Sequence, residues 1–228
     1  MSTLPIVVEF KETTIEQSEN IVLDKVNFDL VQAEICYIIG KSGSGKSSLL
    51  KSIYGEAIIK EGAARVLDYE LRKIKRAQVP ELRRRLGMVF QDFYLFKQWT
   101  VAHNLSFVMV ATDWRDKTAI RNRVEEVLNE VGLLSYFNTK VHQLSGGEQQ
   151  RLAIARAIIN KPEIIIADEP TGNLDPDTSD EILYLLNRVC KENNSAMILA
   201  THDYRIIDKF PARIYKCENG AIHSMDGH

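Results

Sequence analysis

The chain has 228 residues, 45% of them hydrophobic and 26% charged, with a net charge of −2. That size and balance support one domain with a sizeable core and exclude a tandem of two such domains. Nothing in the overall charge calls for nucleic acid, and the three cysteines, Cys36, Cys190 and Cys217, show no ligand spacing. They fit reduced, packed, inert thiols rather than a disulfide or zinc site. The longest apolar runs, such as residues 107–111, fall far short of the roughly 18 residues a membrane span needs. The start, Met1-Ser2-Thr3-Leu4-Pro5, has no charged n-region or apolar h-region, so a cytosolic protein is expected.

In chain order, strands are predicted near residues 6–10, 21–30 and 35–39. The third feeds Gly40-Lys41-Ser42-Gly43-Ser44-Gly45-Lys46-Ser47, after which residues 48–53 have helix-forming character. This is the phosphate-loop pattern in its strand-before, helix-after context, which an ordinary glycine turn lacks. Glycines at 40, 43 and 45 permit close backbone approach, and loop amides and helix N-terminus point together at an anion. Lys46 reaches the β- and γ-phosphates, with a catalytic role, and the Ser47 hydroxyl holds Mg²⁺. The nucleotide-binding candidates run from Gly40 through Lys41, Ser42, Gly43, Ser44, Gly45, Lys46 and Ser47 to Ser48.

Lys73, Lys75, Arg76, Arg83, Arg84 and Arg85 make the region around Pro80 basic, either as a solvated helix face or as a contact for lipid headgroups or an acidic partner. A strand is predicted near residues 86–90. Residues from about 92 to 143 then read as an inserted helical subdomain, with Ile120, Val124, Val127, Leu128 and Val131 at helical spacing as its core stripe.

Leu144-Ser145-Gly146-Gly147-Glu148 precedes a good helix, residues 149–158, so Ser145, Gly146 and Gly147 lie where a helix N-terminus presents free N–H groups. That makes a second anion site, about a hundred residues from the first. If one polypeptide cannot close both on one nucleotide, two copies can. Glu163-Ile164-Ile165-Ile166-Ala167-Asp168-Glu169 reads as a buried parallel strand delivering two acids to its C-terminal edge. Asp168 is expected to bind Mg²⁺, directly or through water, and Glu169 to take the proton of an attacking water. Strands near 196–200 and 212–216 complete an α/β fold with a mainly parallel sheet and a β-rich edge, and residues 226–228 read as a loose tail.

The order of phosphate loop, Ser-Gly-Gly pentapeptide and acidic strand resembles the ABC ATPase family, across nearly the whole chain. The resemblance implies a single P-loop nucleotide-binding domain over 1–228, with ATP and Mg²⁺ as ligands. It implies that Gln91 resembles the glutamine loop, binding Mg²⁺ or the attacking water and relaying nucleotide state to a partner. Asp175, in Asn173-Leu174-Asp175, resembles the loop that couples two sites across the family's dimer, and His202 resembles the switch histidine at the γ-phosphate. The implied partners are a second, head-to-tail copy and an integral membrane subunit docking near residues 91–99. There Phe93, Tyr94, Phe96 and Trp99 offer aromatic anchors or simply pack the subdomain. Two departures stand out: the stretch Thr13-Thr14-Ile15-Glu16-Gln17-Ser18 has no aromatic to stack on adenine, leaving Ile15 as an apolar contact and base preference resting on analogy. Gln32-Ala33 also stands where relatives often carry Pro-Gly, and only a turn is expected to differ.

Within the family, residues 79–93 and 160–175 resemble the bacterial cell-division ATPases, whose members work with a membrane subunit at the cytoplasmic face of the inner membrane to control cell-wall hydrolases. The run Pro170-Thr171-Gly172-Asn173-Leu174-Asp175 also occurs in lipoprotein-release and macrolide-export ATPases, which are the alternative; the Gln91-Asp92-Phe93 triplet favours cell division. A nucleic-acid ABC protein lacks support without a coiled coil or second cassette, Glu169 and His202 argue against a non-catalytic scaffold, and a small-molecule kinase has no use for the pentapeptide.

Overall fold

The computed structural model describes residues 4–225; the tail expected at 226–228 and Met1, Ser2 and Thr3 lie outside the described residues. Two sheets form the frame. The first is antiparallel, in the order β2-β1-β4-β5, from β1 (Ile6–Gln17), β2 (Asn20–Val31), β4 (Ile58–Val66) and β5 (Tyr69–Glu70). The second has the order β10-β9-β3-β8-β7-β6, from β3 (Ile35–Ile39), β6 (Leu86–Phe90), β7 (Ile164–Asp168), β8 (Ala196–Thr201), β9 (Arg213–Glu218) and β10 (Ala221–Ser224). Its strands are parallel except for the β9–β10 hairpin.

Alternate side chains of the central strands feed two different cores, as the period of two requires. On β7, Ile164 and Ile166 face the first sheet and the helix α1 (Lys46–Ile53), whereas Ile165 and Ala167 join the cluster with the remaining helices. Those are α3 (Val101–Ala111), α4 (Lys117–Glu130), α5 (Gly146–Ile158) and α6 (Pro176–Asn193), with α2 (Val79–Arg84) and α7 (Arg205–Lys209) as short pieces at the edges. All five stripe residues from Ile120 to Val131 are buried in that second core. Between residues 92 and 143 lie α3, α4 and two 3₁₀ turns, closed by a bridge between Thr100 and Lys140. Among the described residues no helix is long and apolar enough to cross a membrane.

Three strands were absent from the sequence expectation. β4 reads Ile58-Ile59-Lys60-Glu61-Gly62-Ala63-Ala64-Arg65-Val66, with no apolar alternation, and is a strand because β1 supplies its partner. β5 is only two residues long. β10 follows Asn219-Gly220, both at positive φ, a hairpin signal that was legible. The basic region is not one helix face. Only Arg83 and Arg84 lie in α2, and three of the region's four arginines are engaged within the fold: Arg83 Nε donates to the Tyr54 carbonyl, Arg84 pairs with Asp113, and Arg85 pairs with Glu163 and Asp68.

Where relatives often carry Pro-Gly the chain makes a turn, and Ala33 is strained in it. Ala33 adopts φ +59° in the tight connection where Glu34 N donates to the Val31 carbonyl. A left-handed residue with a Cβ costs about 1–2 kcal/mol, part of which glycine returns in unfolded-chain entropy. Ala33→Gly is therefore expected to stabilise the protein by about 1 kcal/mol, read as a higher urea midpoint at unchanged slope. A lower midpoint would contradict strain at this turn.

Candidate active site

Because β3, β8, β7 and β6 are adjacent and parallel, their C-terminal ends bring the phosphate loop, His202, Asp168 and Gln91 to one edge. They line a single cavity of about 780 Å³ together with Glu169 and Lys46. Such an edge is where open α/β sheets bind ligands.

The loop's shape depends on two glycines. Gly40 (φ +156°) passes so close to β9 that a Cβ there would lie 2.3 Å from the Cys217 carbonyl oxygen. Gly45 (φ +109°) is the N-cap of α1, and a Cβ would lie 2.7 Å from Leu23 Cδ2. From the other side the Cys217 thiol donates to the Ser44 carbonyl at 2.9 Å, and burial raises its pKa. Lys46 is only 6% exposed, and its Nζ donates to the carbonyls of Gly40 and Lys41 at 2.9 and 3.3 Å. The same Nζ stands 3.6 Å from Glu169 Oε1. Ser48 Oγ donates to Gln17 Oε1 at 2.8 Å, tying the helix start to the β1–β2 hairpin.

Glu169 sits just beyond β7 at φ +49°, a strained conformation for a residue with a side chain, of the kind held only where its surroundings over-determine it. Its amide donates to the Ala200 carbonyl at 2.9 Å and its own carbonyl accepts from Gly172 N at 3.1 Å. Its second carboxylate oxygen lies 2.9 Å from His202 Nδ1. The carboxylate is thus gripped between lysine and imidazole. Asp168 is half-buried, and that burial raises its pKa, opposed by a hydrogen bond with Ser47. Its Oδ1 is buried with no hydrogen-bond partner among the described residues, and Ser44 Oγ is in the same condition. A carboxylate oxygen left unpaired beside a serine hydroxyl is a donor set that fits a hard divalent cation.

Ser145 caps α5: its Oγ accepts from Glu148 N at 3.3 Å, while Glu148 Oε2 accepts from Ser145 N at 2.7 Å. The Tyr136 hydroxyl and the Ser145 amide hold the Glu148 carboxyl below its usual range. Asp175 caps α6 by accepting from Thr178 N at 3.0 Å, which lowers its pKa. Neither Ser145, Gly146, Gly147 nor Asp175 is among the residues lining the cavity, so one chain does not bring the second anion site to the first.

Ile15 does not reach the cavity. It is fully buried in the core between the sheets, and the apolar residue of β2 that lines the cavity is Val22. Strand alternation explains the exchange, since Val22 and Leu23 point to opposite faces. Sequence reading also passed over Tyr204, which lines the cavity two residues after His202, and over Gln150, whose Nε2 donates to the Pro170 carbonyl from inside the fold. Further along α5, the Arg156 guanidinium donates to the carbonyls of Phe93 and Tyr94, and its burial lowers its pKa. In the segment it holds, Phe96 stacks on Trp99 at 4.2 Å and Trp99 on His103 at 4.1 Å, while Tyr94 and Phe96 remain exposed.

The ABC transporter family profile matches residues 23–172, from β2 through the phosphate loop to Gly172. The chain is an ATP-binding cassette of the ABC transporter family. Among curated relatives, the cassette is 44% identical over 197 residues to the cell division ATP-binding protein FtsE of Streptococcus pneumoniae, covering 86% of this chain and 85% of that one. It is 39% identical over 209 residues to FtsE of Escherichia coli K12, covering 90% and 92%. Of solved structures, CbiO1 from Clostridium perfringens, part of the cbiONQ transporter complex, superposes with a TM-score of 0.88 at 29% identity, over 95% of this chain and 86% of that one. The cassette MJ0796, solved as a post-hydrolysis dimer with ADP and Pi, gives 0.82 at 31% identity, over 97% and 100%.

Neither a ring from the β1–β2 hairpin nor Ile15 is therefore among the residues lining the cavity. Ile15→Tyr is expected to overpack the core, lowering stability by about 1–3 kcal/mol in thermal unfolding without tightening ATP binding. Tighter ATP binding in this variant would show that residue 15 does face the base.

Proposed function

We propose that this cassette is the ATP-hydrolysing subunit of a membrane-associated cell-division complex, working as a head-to-tail pair on the cytoplasmic face of the bacterial inner membrane. The observation that carries the catalytic part is Glu169, held in a strained backbone turn between Lys46 and His202 at the mouth of the phosphate loop. The FtsE relatives support the cell-division part.

In this reading the loop amides and Lys46 take the β- and γ-phosphates of ATP, and the arriving γ-phosphate competes with Glu169 for Lys46 and His202. Ser47 and Asp168 would hold Mg²⁺, with Gln91 placed to add a ligand or to orient water, and the ion would supply positive charge against the phosphates. Glu169, released from Lys46, accepts the proton of the attacking water, and His202 contacts the γ-phosphate. Ser145, Gly146 and Gly147 of a second copy close the site from the far side, with Asp175 at the junction. That requirement follows from their distance from the cavity in one chain, and the dimeric MJ0796 structure supports it. General-base catalysis is worth about 10²–10⁴ in rate, so Glu169→Gln is expected to lose that much turnover while still binding Mg·ATP and dimerising in size-exclusion chromatography. Undiminished turnover would remove Glu169 from the role.

We infer that the membrane subunit docks near residues 91–99, using the adjoining groove between α2, β6, α3 and α5, about 540 Å³ in volume, lined by Arg83, Met88, Phe90, Tyr94, Val108 and Arg156 among others. Apolar floor, basic rim and the exposed Tyr94 ring suit an amphipathic helix. The complex described for CbiO1 supports such a partner. Mass spectrometry of proteins that co-purify with tagged Glu169→Gln chain from detergent-solubilised membranes in Mg·ATP tests the assignment. One small cell-division membrane subunit is the expected result; a lipoprotein-release or efflux permease would move the function to transport.

A further inference from the structure

Gln91 and Asn173, far apart in sequence, hold each other. Gln91 Nε2 donates to Asn173 Oδ1 at 3.2 Å, and Asn173 Nδ2 donates back to the Gln91 carbonyl at 3.1 Å. Gly172 makes room for the pair: a Cβ on it would lie 3.0 Å from Gln91 Nε2 and 3.1 Å from Gln91 Cδ. Asn173 is presented from a fixed support. Gly172 N donates to the Glu169 carbonyl and Leu174 N to the Thr171 carbonyl, both at 3.1 Å, Gln150 grips the Pro170 carbonyl, and Asp175 caps α6. The Gln91 side chain lines the cavity, yet its amide nitrogen is committed to this loop rather than left free over the phosphate loop.

We propose that Asn173 is a positioning residue, a latch that holds Gln91 parked against the loop after Glu169 until Mg·ATP arrives. The proposal rests on the reading of Gln91 given above, as a group that turns to the metal or the attacking water. Turning requires the Gln91 amide to leave Asn173, so nucleotide binding opens the latch and the apparent affinity is reduced by the fraction of molecules in which it is closed. Both residues are exposed, so water replaces the broken bonds and the opposition is modest. The same contact carries information in reverse. A second copy engaging Asp175 shifts the loop that bears Asn173, and a membrane subunit pulling on the segment after Gln91 shifts the other half.

The test is equilibrium binding of Mg·ATP to full-length chains at one protein concentration, all carrying Glu169→Gln to prevent turnover, with Asn173→Ala, Gln91→Ala, both or neither. Asn173→Ala is expected to tighten binding about fivefold, the effect of losing a weak pair of exposed hydrogen bonds, and to do nothing further once Gln91 is Ala. Loss of a merely structural contact would act in the opposite sense, weakening binding by loosening the loop. Weakened or unchanged binding in Asn173→Ala, or equal tightening with and without Gln91, overturns the latch while Gln91→Ala still alters binding. If Gln91→Ala alone changes neither Mg·ATP binding here nor turnover in the otherwise unaltered chain, the role given to Gln91 falls and the latch with it. Thermal unfolding of each variant verifies that these exposed substitutions leave the fold in place.

Discussion

Pairing of β7 between β6 and β8 is the constraint on which the site depends. β7 is buried on both faces, so its side chains are committed to two cores and only its C-terminal end is free to do chemistry. The register then fixes what meets there: Asp168 lies beside Phe90 on one side and Ala200 on the other, and Ile39 lies beside Thr201. One residue further along each strand come Gln91, Glu169, His202 and Gly40. A slip of one residue in this pairing would exchange the two cores and scatter the four groups.

The chain has put strain and polarity where this edge ends. Glu169 has a left-handed backbone, Asp168 holds a buried oxygen without a hydrogen-bond partner among the described residues, and Gly40 touches the β9 backbone more closely than any side chain would permit. The stretch from Pro170 to Asp175 connects these groups to α5. Gln150 binds its start, and a Cβ on Gly147 would lie 2.7 Å from Thr178, just past its end. Glu169, Gln91 and the Ser-Gly-Gly pentapeptide are therefore separate in sequence but share one short piece of backbone.

Much of this was legible because the motifs are contiguous. The phosphate loop, the pentapeptide and the acidic strand each carry their chemistry within a few neighbouring residues, and the flanking apolar runs say which element each belongs to. What was not legible depends on partners far along the chain. β4 has no apolar alternation and owes its conformation to β1. Ile15 and Val22 exchange roles because hairpin register, not proximity in sequence, decides which side chain faces the cavity. Asn173 read as part of a loop motif, and its link to Gln91 spans most of the helical region. The Asn219-Gly220 turn was a local signal, and it was passed over.

Arg156 gives α5 a mechanical property. The helix is anchored through this guanidinium to the carbonyls of Phe93 and Tyr94, and it begins eleven residues earlier at Ser145. At 1.5 Å per residue the two points are about 16 Å apart along a stiff rod. A tilt of about 10° about the arginine end would swing the serine end by about 3 Å, the length of one hydrogen bond. A small rotation at the aromatic segment would thus be geared up into the making or breaking of contacts at the opposite tip.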